Sequence, residues 1–146
     1  MVATKDNFIN MLKDEPRVLH ISCHGLEVTN RGKKTTDLLF EQDREKAGEG
    51  FRFNQKRIED YLKNIPLPNL QLVVLTICHS ERIADAFLND DNGNVEHVIC
   101  IKKEQEVLDT AAIQFTRTLY RSLMSDKKVC QAFEEARSDV LLQQGK

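Results

Sequence analysis

The sequence predicts an α/β fold built on a mainly parallel sheet. Residues 17–22, 71–77 and 95–101 are nearly continuous in apolar side chains rather than alternating, which is how strands covered on both faces of a parallel sheet read. Helical periods fill the intervals between them, as crossover connections require. Such sheets carry their ligand crevice beyond the carboxyl ends of the strands. At two of those ends the chain places Cys-His, in HISCHG (20–25) and in LVVLTICHS (72–80).

The elements follow in order. KDNFINMLK (5–13) sets Phe8, Ile9 and Leu12 on one side of a short helix that must stop before Pro16. The first strand is residues 17–22. Residues 26–53 have no helical period; a turn, NRGKK, separates LEV from TDLLFEQ, and the glycine-bounded GEGFRFN follows, so small antiparallel strands and loops are expected. Asn54 is the N-cap of QKRIEDYLKNI, whose Ile58, Tyr61, Leu62 and Ile65 share a face closed by Pro66 and Pro68. After the second strand, 71–77, Ser80 caps ERIADAFL, which ends in the polar turn NDDNGN before the third strand, 95–101. Two helices finish the chain, one with Leu108, Ala112, Phe115, Leu119 and Leu123 at helical spacing, the other with Val129, Phe133, Ala136 and Val140.

At 146 residues the chain reads as one domain, 1–146, long enough to bury about two thirds of the surface exposed when unfolded. Hydrophobic residues make up 40% and charged residues 30%, with a net charge of −2. Basic pairs such as Lys33-Lys34 and Lys127-Lys128 are interleaved with acids, which leaves no stripe for nucleic acid. The apolar runs are far shorter than the roughly 18 residues of a membrane span, and residues 1–20 lack the centre of a signal peptide. The four cysteines, Cys23, Cys78, Cys100 and Cys130, are widely and irregularly spaced, which predicts reduced thiols in a cytoplasmic setting.

If the first two strands are neighbours, the residues just past their ends meet. Consecutive residues of an extended chain point to opposite sides, so each Cys-His pair offers one residue to the other. Imidazole beside a thiol raises the thiolate fraction and later protonates a leaving group. Cys78 directly precedes a predicted helix, whose amino end favours negative charge. Gly25 after His24 lets the backbone approach a substrate and offer an N–H to an oxyanion. Cys78 is therefore the candidate nucleophile and His24 the candidate base. Cys100, within the third strand, and Cys130, on the inner side of the last helix, read as core; Cys23 fills space behind the site. His20 and His97 read as structural, while His79 either orients substrate or belongs to the loop. Two Cys-His pairs carry the ligand types of a zinc site, but adjacent ligands on extended chain diverge, so no metal is expected.

With these blocks in view, the chain resembles the CHAT family of caspase-like, clan CD cysteine peptidases. HISCHG resembles the family's strand ending in His-Gly, LVVLTICHS its strand ending in Cys, VEHVICI the next strand, and LDTAAIQFTRTLYRSLMSDKKVCQAFEEAR its two closing helices. The resemblance covers about residues 17–140. It implies a caspase-hemoglobinase-like fold, a His24-Cys78 dyad, backbone oxyanion donors at Gly25 and Cys78, and no cofactor. It also implies that Asp109, in EVLDTAA, lines a pocket for a basic side chain; the alternative is an acid favouring a helix start. The tryptophan often found before that position is absent, with Glu104 and Glu106 nearby. Family domains usually carry a further strand-helix-strand before the His-Gly strand, so the domain reads as shortened at its N-terminus. The implied activity is hydrolysis of a peptide or protein substrate; the alternative is a scaffold of the same fold with little catalysis, held by a regulatory protein partner.

Overall fold

The computed structural model describes residues 4–30, 32–41, 50–88, 95–102 and 108–144. The NDDNGN turn, Glu104 and Glu106 lie outside the described residues. The chain divides into two compact units, Met1–Glu106 and Val107–Lys146.

In the first unit, helix α1 (Lys5–Lys13) starts at Thr4, whose side chain accepts from the Asn7 N–H. It buries Phe8 and Leu12, the two apolar residues four apart that the helical period set on one face. The expected parallel sheet is present. Strands β1 (Val18–Ile21), β5 (Leu72–Leu75) and β6 (His97–Ile99) run in the order β1-β5-β6. All four residues of the central strand β5 are buried, which accounts for its unbroken apolar run.

The stretch between β1 and β5 forms the expected antiparallel strands. Strands β2 (His24–Asn30), β3 (Lys33–Glu41) and β4 (Gly50–Asn54) make a second three-stranded sheet. Asn30 pairs with Lys33 across the hairpin turn, where Gly32 takes φ +77°, a left-handed conformation that costs glycine little. Asn54 then caps helix α2 (Gln55–Leu62), accepting from the Arg57 N–H at 2.9 Å. Phe53 packs its ring against Phe8 (5.3 Å between centroids), Phe40 (5.4 Å) and Tyr61 (5.6 Å). This cluster joins α1, β3, β4 and α2 in one core.

Helix α3 (Glu81–Leu88) follows β5 and buries Ile83, Ala84, Ala86 and Phe87. Cys100 lies just past β6 rather than inside the strand and is half-buried. His97 pairs opposite Leu72 but is exposed.

The second unit is a helical hairpin, α4 (Asp109–Leu123) and α5 (Val129–Gln144), closed by Leu119, Ala132 and Ala136, all buried, and by an edge-to-face contact of Phe115 with Phe133. Cys130, expected on the inner side of α5, is exposed instead. It precedes Ala132 by two residues, about 200° around the helix, so the alanine face turns it outward.

Candidate active site

The parallel register pairs Val18 with Leu72 through Ile21 with Leu75, and the Thr76 N–H extends it by donating to the Ile21 carbonyl at 3.1 Å. Both Cys-His pairs thus leave the same edge of the sheet from adjacent strands. After Ile21 the chain passes Ser22 and Cys23 and enters β2 at His24. After Thr76 it passes the buried Ile77 and turns at Cys78 and His79 into α3.

The two ends touch through Gly25. A β-carbon on Gly25 would lie 2.2 Å from the Cys78 carbonyl oxygen and 2.9 Å from Ile77 Cγ2, so glycine is required here by the backbone of Cys78. The sequence suggested that this missing side chain serves the approach of a substrate; the structure uses it to seat β2 against the Cys78 turn. His24 is one residue, about 3.8 Å of backbone, away. Strand alternation sends its side chain to the face opposite the Gly25 contact, and it is exposed, while Cys78 is half-buried.

The turn that carries Cys78 is tied on three sides. His79 adopts φ +59°, a left-handed conformation that costs a residue with a side chain about 1–2 kcal/mol. Its carbonyl accepts from the hydroxyl of Thr36 on β3, fully buried, at 2.9 Å. Ser80 is also fully buried. Its carbonyl accepts the first helical N–H groups, from Ile83 and Ala84, while its hydroxyl donates to the Leu75 carbonyl at 3.3 Å and accepts from the Ile101 N–H at 2.9 Å. The expected cap is therefore spent on bridging β5 to the segment after β6. Arg82, on the first turn of α3, reaches Glu27 of β2 at 3.4 Å, and Lys34 meets the same carboxylate at 2.8 Å. The Lys34 hydrogen bond holds the Glu27 carboxyl below its usual range.

A family model for the CHAT domain matches residues 1–146, the whole chain. The chain belongs to the CHAT-domain family. CHAT domains fall in the caspase-like clan CD. The search of curated proteins and the search of solved structures gave no match.

Within this CHAT domain the cysteines differ in what their surroundings allow. Burial pushes the Cys23 thiol up to about 12, although the Leu39 backbone bond works the other way. Cys23 thus packs behind the strand ends as a neutral group. Burial, with the charges of Glu81 and Asp85, also raises Cys100. Those two are poor thiolates, which leaves Cys78 as the half-buried thiol at a strand end. His20 hydrogen-bonds Thr76 through Nε2 at 3.0 Å, and burial lowers its pKa, in keeping with a structural role. Asp109 is the first residue of α4, exposed, with Leu108 in the cap position and no side-chain cap bond; it acidifies the first turn without capping it.

Among the described residues no three of His, Cys, Asp or Glu converge as a metal-binding group. A cavity of about 550 Å³ is lined by Lys5, Phe51, Arg57 and Tyr61 among others. Neither His24 nor Cys78 lines it, so it is not the candidate reactive centre. Thr36 and Arg82 carried no local signal in the sequence as supports of the Cys78 turn, because each acts on a partner distant in the chain; Ser80 was legible as a cap, but its bond from the Ile101 N–H was not.

Proposed function

We propose that this CHAT domain is a cysteine endopeptidase acting on a peptide or protein substrate. The Cys78 thiolate attacks the scissile carbonyl to form an acyl-enzyme, and the backbone N–H groups of Gly25 and Cys78 face the developing oxyanion. His24 takes the Cys78 thiol proton, passes it to the departing amine and then activates the water that releases the acid. No metal or organic cofactor takes part. His79, on the Cys78 turn, is the proposed pocket residue. The observation that carries this reading is the contact of Gly25 with the Cys78 carbonyl, since a dyad requires its two strand ends to share one edge.

The setting we propose is the cytoplasm, which keeps thiols reduced; all four cysteines are free, and no helix among the described residues is long and apolar enough to cross a membrane. The direct test is cleavage of a broad peptide library by the wild type and by Cys78→Ala. Hydrolysis by the wild type alone is expected; equal hydrolysis by both rejects the proposal.

One observation favours a second reading, a scaffold or binding module with little turnover in a regulatory assembly. His24 is exposed and leaves β2 on the face opposite Gly25. A working dyad predicts that iodoacetamide modifies Cys78 much faster than the exposed Cys130, whereas a scaffold predicts no such selectivity.

A further inference from the structure

We propose that Thr36 is a positioning residue for the Cys78 thiol: its buried hydroxyl clamps the His79 carbonyl and so holds the turn that presents Cys78 to the β2 end. The inference rests on the peptidase reading for its purpose, but its geometry is independent of it. Thr36 lies on β3 opposite Glu27 of β2, two residues along from Gly25 on the same face of the hairpin. That face meets the β5–α3 junction at three points: Gly25 against the Cys78 carbonyl, Thr36 on the His79 carbonyl, and Glu27 on Arg82.

Of these, the first is steric and the third is a surface ion pair with a 3.4 Å separation, weak by its exposure. The Thr36 bond, 2.9 Å long, comes from a fully buried side chain and is directed at the residue whose backbone is strained. A left-handed residue with a side chain persists only where its surroundings over-determine it. Loss of the hydroxyl removes that constraint, lets His79 relax to a right-handed conformation and turns the Cys78 peptide with it. Thr36 touches no substrate in this scheme; it acts through His79.

The test compares the rate of iodoacetamide modification at Cys78, divided by that at Cys130 as an internal reference, in the full chain. Thr36→Val keeps the shape and removes the hydroxyl. We expect its Cys78/Cys130 ratio to fall about 10–100-fold, the scale set by an ångström of misplacement. Thr36→Ser, which keeps the hydroxyl, should stay near the wild type. Glycine adopts positive φ freely, so the same Thr36→Val change should cost far less in a His79→Gly background than in the wild type. A purely core-packing role for Thr36 predicts equal losses in the two backgrounds.

An unchanged ratio in Thr36→Val overturns the inference, as do equal losses in both backgrounds. Should Thr36→Val not fold, recovery of the fold by His79→Gly supports the clamp, and failure to recover overturns it. The peptidase reading fails separately, through hydrolysis that survives Cys78→Ala.

Discussion

At the scale of single residues, position 25 has the least freedom in the candidate site. Alanine there would place a methyl carbon 2.2 Å from the Cys78 carbonyl oxygen, a backbone atom that can yield only by moving the turn. Gly25→Ala is therefore expected to slow Cys78 modification about 100-fold, as measured by alkylation kinetics, while circular dichroism retains the folded spectrum. His20 supports a prediction on stability against pH. Its pKa is lowered from 6.5 by burial, so at mildly acid pH the unfolded chain binds the proton more readily than the folded one. Its contribution is complete above pH 6.5 and is lost as pH falls from there through the lowered folded value. The melting temperature should decline over that window, and His20→Gln should flatten the decline. The chemistry of these residues was legible in the sequence; their constraints were not. HISCHG marked Gly25 as useful for its missing side chain, yet what fills the space is a carbonyl more than fifty positions away.

Elements place these residues, and their own stability is separable. The ring of Phe53 is fully buried among Phe8, Phe40 and Tyr61, joining α1 to the antiparallel sheet. Phe53→Ala should destabilise the first unit by about 3–5 kcal/mol, the usual cost of deleting a buried phenyl ring, seen as an earlier urea midpoint. In the α4–α5 hairpin, Asp139 accepts from Thr118 at 2.6 Å and from Gln114. The Thr118 bond, then the Gln114 bond, holds its carboxyl below the ordinary 3.8. This contribution is present above that value and lost as pH falls through the lowered one. Hydrogen exchange in α4 and α5 should therefore accelerate, beyond the intrinsic rate change, as the pH falls below 3.8; Asp139→Ala should remove that acceleration. The element boundaries were largely readable because Asn54, Pro16 and the apolar periods act within a turn of the chain. Cys130 escaped this reading because a helical stretch with alanines at 132 and 136 does not say which of its faces is inner.

The whole molecule assembles those elements into one testable pattern of thiol chemistry. Cys23 and Cys100 are held neutral by burial, Cys130 is exposed on a helix, and Cys78 sits half-buried on the tied turn. Mass mapping after brief alkylation of the native protein should find Cys78 first and Cys130 second. Cys23 and Cys100 should appear only after denaturation; early labelling of Cys23 would contradict its burial. The sequence by itself determined the α/β class and the parallel strands and nominated His24 and Cys78 as the candidate pair, since these follow from local apolar pattern, strand ends and residue chemistry. Only the tertiary structure decided that β1 and β5 are direct neighbours, that Gly25 abuts Cys78, and that Thr36 and Ser80 secure the turn. Those are contacts between segments far apart in the chain, and a local pattern carries no information about which distant partner will close on it.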